Sequence, residues 1–135
     1  MLRSLIVDDS RRFREAARVV LQRQGMAVVG VACTINEALQ RVEELHPDVV
    51  LLDIDLGGES GFELARRLHE RGGRTAARVI LISTQAEQDY AELIASSPAI
   101  GFLPKSELSA AAILRLLDTG GDAGRSESVS GSRGT

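Results

Sequence analysis

Residues able to do acid, metal and phosphate chemistry recur at the ends of short apolar runs in this sequence. Asp8 and Asp9 follow Leu2–Val7, and Asp53 follows Val49–Leu52. Ser83 and Thr84 follow Arg78–Ile82, and Lys105 comes just after Ile100–Leu103. Lys105 is the only lysine among 16 basic residues, the others being arginine. Its ammonium is a compact point charge on a thin stem, whereas a guanidinium is a wide planar fork. Three carboxylates brought together repel, and one takes up a proton unless a cation neutralises them. Hard oxygen ligands of this kind suit Mg²⁺. A carboxylate on such a metal, beside an ammonium and a hydroxyl, is placed to accept a phosphoryl group. The acyl phosphate on Asp53 would add about −1.5 to −2 charge and draw Ser83 and Lys105 inward.

Whether these residues meet depends on the elements that carry them. Strand and helix patterns alternate five times. Leu2–Val7 reads as a strand, followed by a helix over Arg11–Gln24 with Phe13, Ala16, Ala17, Val20 and Leu21 on its inner face and Gly25 past its end. Met26–Ala32 is a second strand. Thr34 to Glu37 has the spacing of a capping box and opens a helix with Ile35, Ala38, Leu39, Val42 and Leu45 inward, broken by His46-Pro47-Asp48. Val49–Leu52 is a third strand, apolar throughout, as in a parallel sheet covered on both faces. Ser60 to Glu63 repeats the capping-box spacing for a helix to Arg71. Arg78–Ile82, Glu87–Ser96 and Ile100–Leu103 then read as strand, helix and strand. Ser106 is placed to cap a last helix over Glu107–Asp118.

Five β–α repeats with short connections predict an α/β fold, a doubly wound parallel sheet with right-handed crossovers. Ligands bind such sheets beyond the carboxyl ends of the strands. The spacings of 44 residues from Asp9 to Asp53, 30 on to Ser83 and 22 on to Lys105 fit two crossovers, then one, then one. The fold therefore gathers three carboxylates, a hydroxyl and the lone lysine in one crevice.

Composition bounds the rest. The chain has 135 residues, 44% hydrophobic and 26% charged, the profile of one globular domain. A net charge of −3 and the absence of tryptophan give no footprint for direct nucleic-acid binding. The longest apolar run, Ala110–Leu114, is far short of the roughly 20 residues of a membrane span. The first residues do not form a secretory signal. One cysteine, Cys33, read as a small buried hydrophobe, fits a reducing cytoplasm. Residues 1–118 form the expected domain, and 119–135, with five glycines and four serines, the expected flexible tail. The last helix carries more apolar residues than one buried stripe needs, which suggests a homodimer or partner through the fourth and fifth helices.

The runs Val-Asp8-Asp9-Ser, Leu-Leu-Asp53-Ile-Asp55-Leu with Gly61, Ile-Ser83, and Gly-Phe102-Leu-Pro-Lys105 resemble the receiver domain of bacterial response regulators over roughly residues 2–118. The resemblance implies a flavodoxin-like (βα)5 sheet in the order 2-1-3-4-5. It implies that Asp53 accepts a phosphoryl group from the phosphohistidine of a sensor kinase or phosphotransfer protein, the receiver catalysing its own phosphorylation and dephosphorylation. Asp9, Asp53 and the backbone carbonyl of Asp55 would hold Mg²⁺, with Asp8 acting through water. Ser83, Thr84 and Lys105 would bind the phosphoryl group, and Ser83 and Phe102 would form the switch. Ser106 after the lysine is more typical of receivers that precede LuxR-type DNA-binding domains. Thr84 is larger than the frequent residue there, and Gly57-Gly58 makes the loop after Asp53 supple.

Rival readings are the front part of a truncated DNA-binding regulator and an unphosphorylated scaffold. An aspartyl-phosphate phosphatase, suggested by Asp53-Ile-Asp55, would carry that pair after the first strand rather than the third. An FMN-binding module of the same fold is disfavoured because this sequence lacks tryptophan and a Ser/Thr/Gly phosphate loop after strand one.

Overall fold

The computed structural model describes residues 2–72 and 77–123. In chain order, β1 (Arg3–Val7), α1 (Arg11–Arg23), β2 (Ala27–Ala32), α2 (Ile35–Leu45) and β3 (Val49–Asp53) form the first half. The second half is α3 (Gly61–Gly72), β4 (Arg78–Ser83), α4 (Ala91–Ser96), β5 (Gly101–Pro104) and α5 (Ala110–Ala123). All strand pairs are parallel, in the order β2-β1-β3-β4-β5. This is the doubly wound order expected from the sequence.

Successive side chains of a strand point to opposite faces, and here both faces are buried. Leu5, Val7, Val50, Leu52, Val79 and Leu81 pack on one side with Ala38, Leu39, Leu64, Leu68 and Phe102. Ile6, Val49, Leu51, Ile80 and Ile82 pack on the other with Ala17, Leu21, Ala110, Ile113 and Leu117. That double burial is why β3 carries no polar residue before Asp53, the last residue of the strand.

Several local expectations need correction. In α1 only Ala17 and Leu21 are buried and Phe13 is half-buried, while Ala16 and Val20 are exposed. The predicted stripe was wider than the line along which the helix meets the sheet. Ser10 caps α1 by accepting the Phe13 N–H at 3.2 Å. Thr34 caps α2 as expected, but the Glu37 carboxylate reaches one residue further back, to the Cys33 N–H at 2.7 Å. Cys33 itself is half-buried. Glu63 does not close a box at α3; it pairs with Arg66 at 2.6 Å, and the Ser60 hydroxyl takes the Phe62 N–H. Glu87–Ser96 is not one helix but a 3-10 turn, Glu87–Tyr90, followed by the short α4, with no fully buried side chain in either.

The start of α5 also differs. Lys105–Glu107 form a 3-10 turn, and Ser109 replaces Ser106 as the cap, accepting the Ala112 N–H at 3.0 Å. The helix backbone runs on to Ala123, past the expected end at Asp118, and residues 124–135 of the expected tail lie outside the described residues. No described helix is long and apolar enough to cross a membrane.

Gly61 opens α3 where no side chain fits. A Cβ there would lie 2.1 Å from the Asp53 carbonyl oxygen and 2.9 Å from Ile54 Cα, both backbone atoms. Gly61→Ala should therefore lower stability by about 1–3 kcal/mol, as overpacking does, measured by urea unfolding. An unchanged midpoint would contradict this packing.

Candidate functional site

The crevice is built where β1, β3 and β5 end. Asp8 has no exposed surface and Asp53 keeps 6%, whereas Asp9 faces solvent. One carboxylate oxygen from each lies within 4.8 Å of the others. Lys105 Nζ stands 2.6 Å from Asp8 Oδ2 and 3.1 Å from Asp53 Oδ2. The sequence spacing thus brings the three aspartates and the lone lysine together.

Backbone amides hold each carboxylate. Asp8 Oδ1 accepts the Ser10 N–H at 2.8 Å, and Asp53 Oδ1 accepts the Asp55 N–H at 3.1 Å. Asp55 faces outward and its carboxylate accepts the Gly57 N–H. Ser83 is buried, one residue beyond the Ile82 that pairs with Asp53, and its Oγ accepts the Gln85 N–H at 2.9 Å. Thr84 is exposed, and no hydrogen bond or ion pair joins it to the cluster among the described residues. Phe102 is buried beside Leu81, with Tyr90, Ile94 and Ala99 packed on that cluster.

Burial is the main influence on the Asp53 carboxyl, and the Asp8 charge adds to it; together they hold its pKa above the usual value. The Asp55 N–H and Lys105 act the other way without prevailing. For Lys105, burial is the largest single influence and pushes the ammonium's pKa down. The combined pull of Asp8 and Asp53 outweighs it, so the pKa ends above the ordinary lysine value. The two carboxylates keep the lysine charged, yet one lysine does not relieve Asp53.

The donor set is suited to a hard divalent cation. It consists of oxygens alone, it carries more negative charge than one ammonium neutralises, and Asp8 Oδ2 is buried and accepts no well-aligned hydrogen bond. Its 2.6 Å contact with Lys105 is a charge contact rather than a directed hydrogen bond.

Residues that the sequence reading did not place in the site also shape the crevice. The Phe13 ring lies 4.5 Å from Lys105 Nζ, and Arg14 Nη1 donates to the Asp8 carbonyl at 2.7 Å. Gly57, at φ +63°, backs Asp9 so closely that a Cβ would sit 2.7 Å from Asp9 Oδ2. Glu59 ties the same loop to α2 by accepting the Ile35 N–H at 2.9 Å. An aromatic in the first turn after the acidic pair was the available signal for Phe13. Nothing in the sequence set Arg14 or Glu59 apart from other surface charges.

Comparison with known proteins agrees with this geometry. Residues 4–117 match the model of the response regulator receiver domain. The chain belongs to that family. It is 33% identical over 107 residues to a putative transcriptional regulator of Pseudomonas aeruginosa, covering 79% of this chain and 51% of that protein. It is 28% identical over 106 residues to the DNA-binding transcriptional activator EvgA of Escherichia coli, covering 78% and 51%. The chain thus spans about half the length of these relatives. Among solved structures, the signal receiver domain of the putative response regulator NarL from Mycobacterium tuberculosis superposes with a TM-score of 0.74 at 30% identity, covering 92% of this chain and 98% of that one. TrrA of Thermotoga maritima, solved in complex with Mg(2+)-BeF, gives 0.73 at 28% identity, covering 87% and 98%.

Charge in the crevice should be visible in stability. In EDTA at pH 7, Lys105→Met should cost about 3 kcal/mol, because it leaves buried carboxylates without their counter-charge. Asp53→Asn should act in the opposite direction. Because folding raises the Asp53 pKa, the folded state binds the extra proton, and stability falls as pH rises from the unfolded value through the folded one. The advantage of Asp53→Asn over wild type should therefore grow across that window and then level off, followed by urea unfolding at stepped pH. A gap independent of pH would contradict the raised carboxyl.

Proposed function

We propose that this receiver accepts a phosphoryl group on Asp53 from the phosphohistidine of a sensor kinase or phosphotransfer protein in the cytoplasm. A carboxylate oxygen of Asp53 attacks phosphorus and the donor's P–N bond breaks. The electron pair returns to the imidazole nitrogen, which takes a proton from water. The leading support is Lys105 Nζ at 3.1 Å from Asp53 Oδ2, inside a cluster whose other carboxylates would supply a cation site. The lysine is already where the negative charge of a transferring phosphoryl group would develop.

Asp9, Asp53 and the Asp55 carbonyl would hold Mg²⁺, with Asp8 acting through water, and the ion would offset charge on the transferring oxygens. Gly57 would leave Asp9 room to turn toward it. Ser83 would exchange the Gln85 N–H contact for one in which its hydroxyl donates to a phosphoryl oxygen, with Thr84 at the rim. Space vacated beside Ser83 would then bias Phe102 and the thinly packed 3-10 turn and α4. The surface of α4, β5 and α5 would change as a result, with Leu93 and Leu114 half-exposed on it. A partner, an output domain or a second copy would read that surface.

Acetyl phosphate with Mg²⁺ should add one phosphoryl group to the wild-type chain by intact mass, and none to Asp53→Asn. Equal labelling of the variant would move the acceptor elsewhere. Gly57→Ala should weaken Mg²⁺ binding by about 10-fold or more, as changes behind a ligand do, measured by titration calorimetry. Unaltered affinity would remove Gly57 from the site.

A further inference from the structure

We infer that Phe13 is a positioning residue for Lys105, its ring face fixing where the ammonium stands in the crevice. The observation is a closed ring of contacts joining the first turn of α1 to the end of β5. Asp8 Oδ1 accepts the Ser10 N–H at 2.8 Å, and Ser10 Oγ accepts the Phe13 N–H at 3.2 Å. The Phe13 ring lies 4.5 Å from Lys105 Nζ, and Nζ returns to Asp8 Oδ2 at 2.6 Å.

Each contact does a separate job. The cap fixes the backbone of Phe13, so the ring is aimed by the same residues that hold Asp8. A cation over an aromatic face is attracted by the ring's quadrupole, more strongly where water is excluded. Lys105 is in that situation, with its side chain only 14% exposed. Two carboxylates alone would leave a flexible four-carbon stem free to favour either one. The ring supplies a third, non-titrating wall that keeps Nζ between them. An aliphatic residue at position 13 would fill the same space against the core and lack the quadrupole.

The inference rests on Asp53 being the phosphoacceptor, and one experiment separates the two. Because the chain has a single lysine, lysine labelled with carbon-13 at Cε gives one resonance pair, that of Lys105. In the wild type and in Phe13→Tyr, the Lys105 Cε protons should be shifted upfield by the ring. In Phe13→Leu they should return to the position of a free lysine. Phosphorylation by acetyl phosphate should slow about tenfold in Phe13→Leu, the loss expected from a desolvated cation–π contact, and be restored by Phe13→Tyr. An unshifted wild-type resonance, or an unchanged rate in Phe13→Leu, overturns the role of Phe13 and leaves the Asp53 reading standing. A wild-type chain that takes no phosphate overturns both.

Discussion

Lys105 sets one positive charge against three carboxylates, and two of those carboxylates are buried deep enough that water does little to absorb the difference. The rest of the crevice follows from that imbalance. Asp53 stays harder to ionise than a free aspartate despite a lysine at 3.1 Å, because burial and Asp8 together outweigh one ammonium. A further cation at this cluster would relieve the excess negative charge. The amides of Ser10 and Asp55 steer the carboxylates without neutralising them, so the charge is oriented and left in place.

The scaffold makes this tolerable. Strands β1 and β3 are buried on both faces and supply rigid ends from which Asp8 and Asp53 project. Close backbone approach at Gly61 and Gly57 ties the following loop to Asp53 and Asp9. By contrast, the segment from Glu87 to Ser96 contributes no fully buried side chain. Low burial means a low cost of rearrangement, so the part of the fold nearest Ser83 and Phe102 is also the part most easily moved. The acidic end is therefore tightly packed and the segment after the hydroxyl loosely packed.

Much of this was legible in the sequence because parallel strands announce themselves. An unbroken Val49–Leu52 run ending in aspartate fits a strand buried on both faces and little else, and the topology then dictates which strand ends meet. The errors arose where tertiary packing chose between equivalent local signals. Ser106 and Ser109 are both acceptable caps; the 3-10 turn that delivers Lys105 to the crevice selects the second. Ala16 and Val20 match the helical period of α1 yet stay exposed, because how much of the stripe the sheet covers is set by neighbouring elements. Glu37 has a capping-box position but binds Cys33 instead, a difference of one residue that no pattern encodes. Phe13 read as an ordinary inward residue, and its place over Lys105 depends on two elements 92 positions apart in the chain.

Fluorine NMR of the chain with beryllofluoride is the most direct test of the central claim, that the crevice joins a divalent cation and a phosphoryl-shaped ligand at Asp53. Bound fluorine resonances should appear with Mg²⁺, vanish on adding EDTA and be absent from Asp53→Asn. Silence from the wild type at saturating Mg²⁺, or bound signals that persist in the variant, would contradict the account.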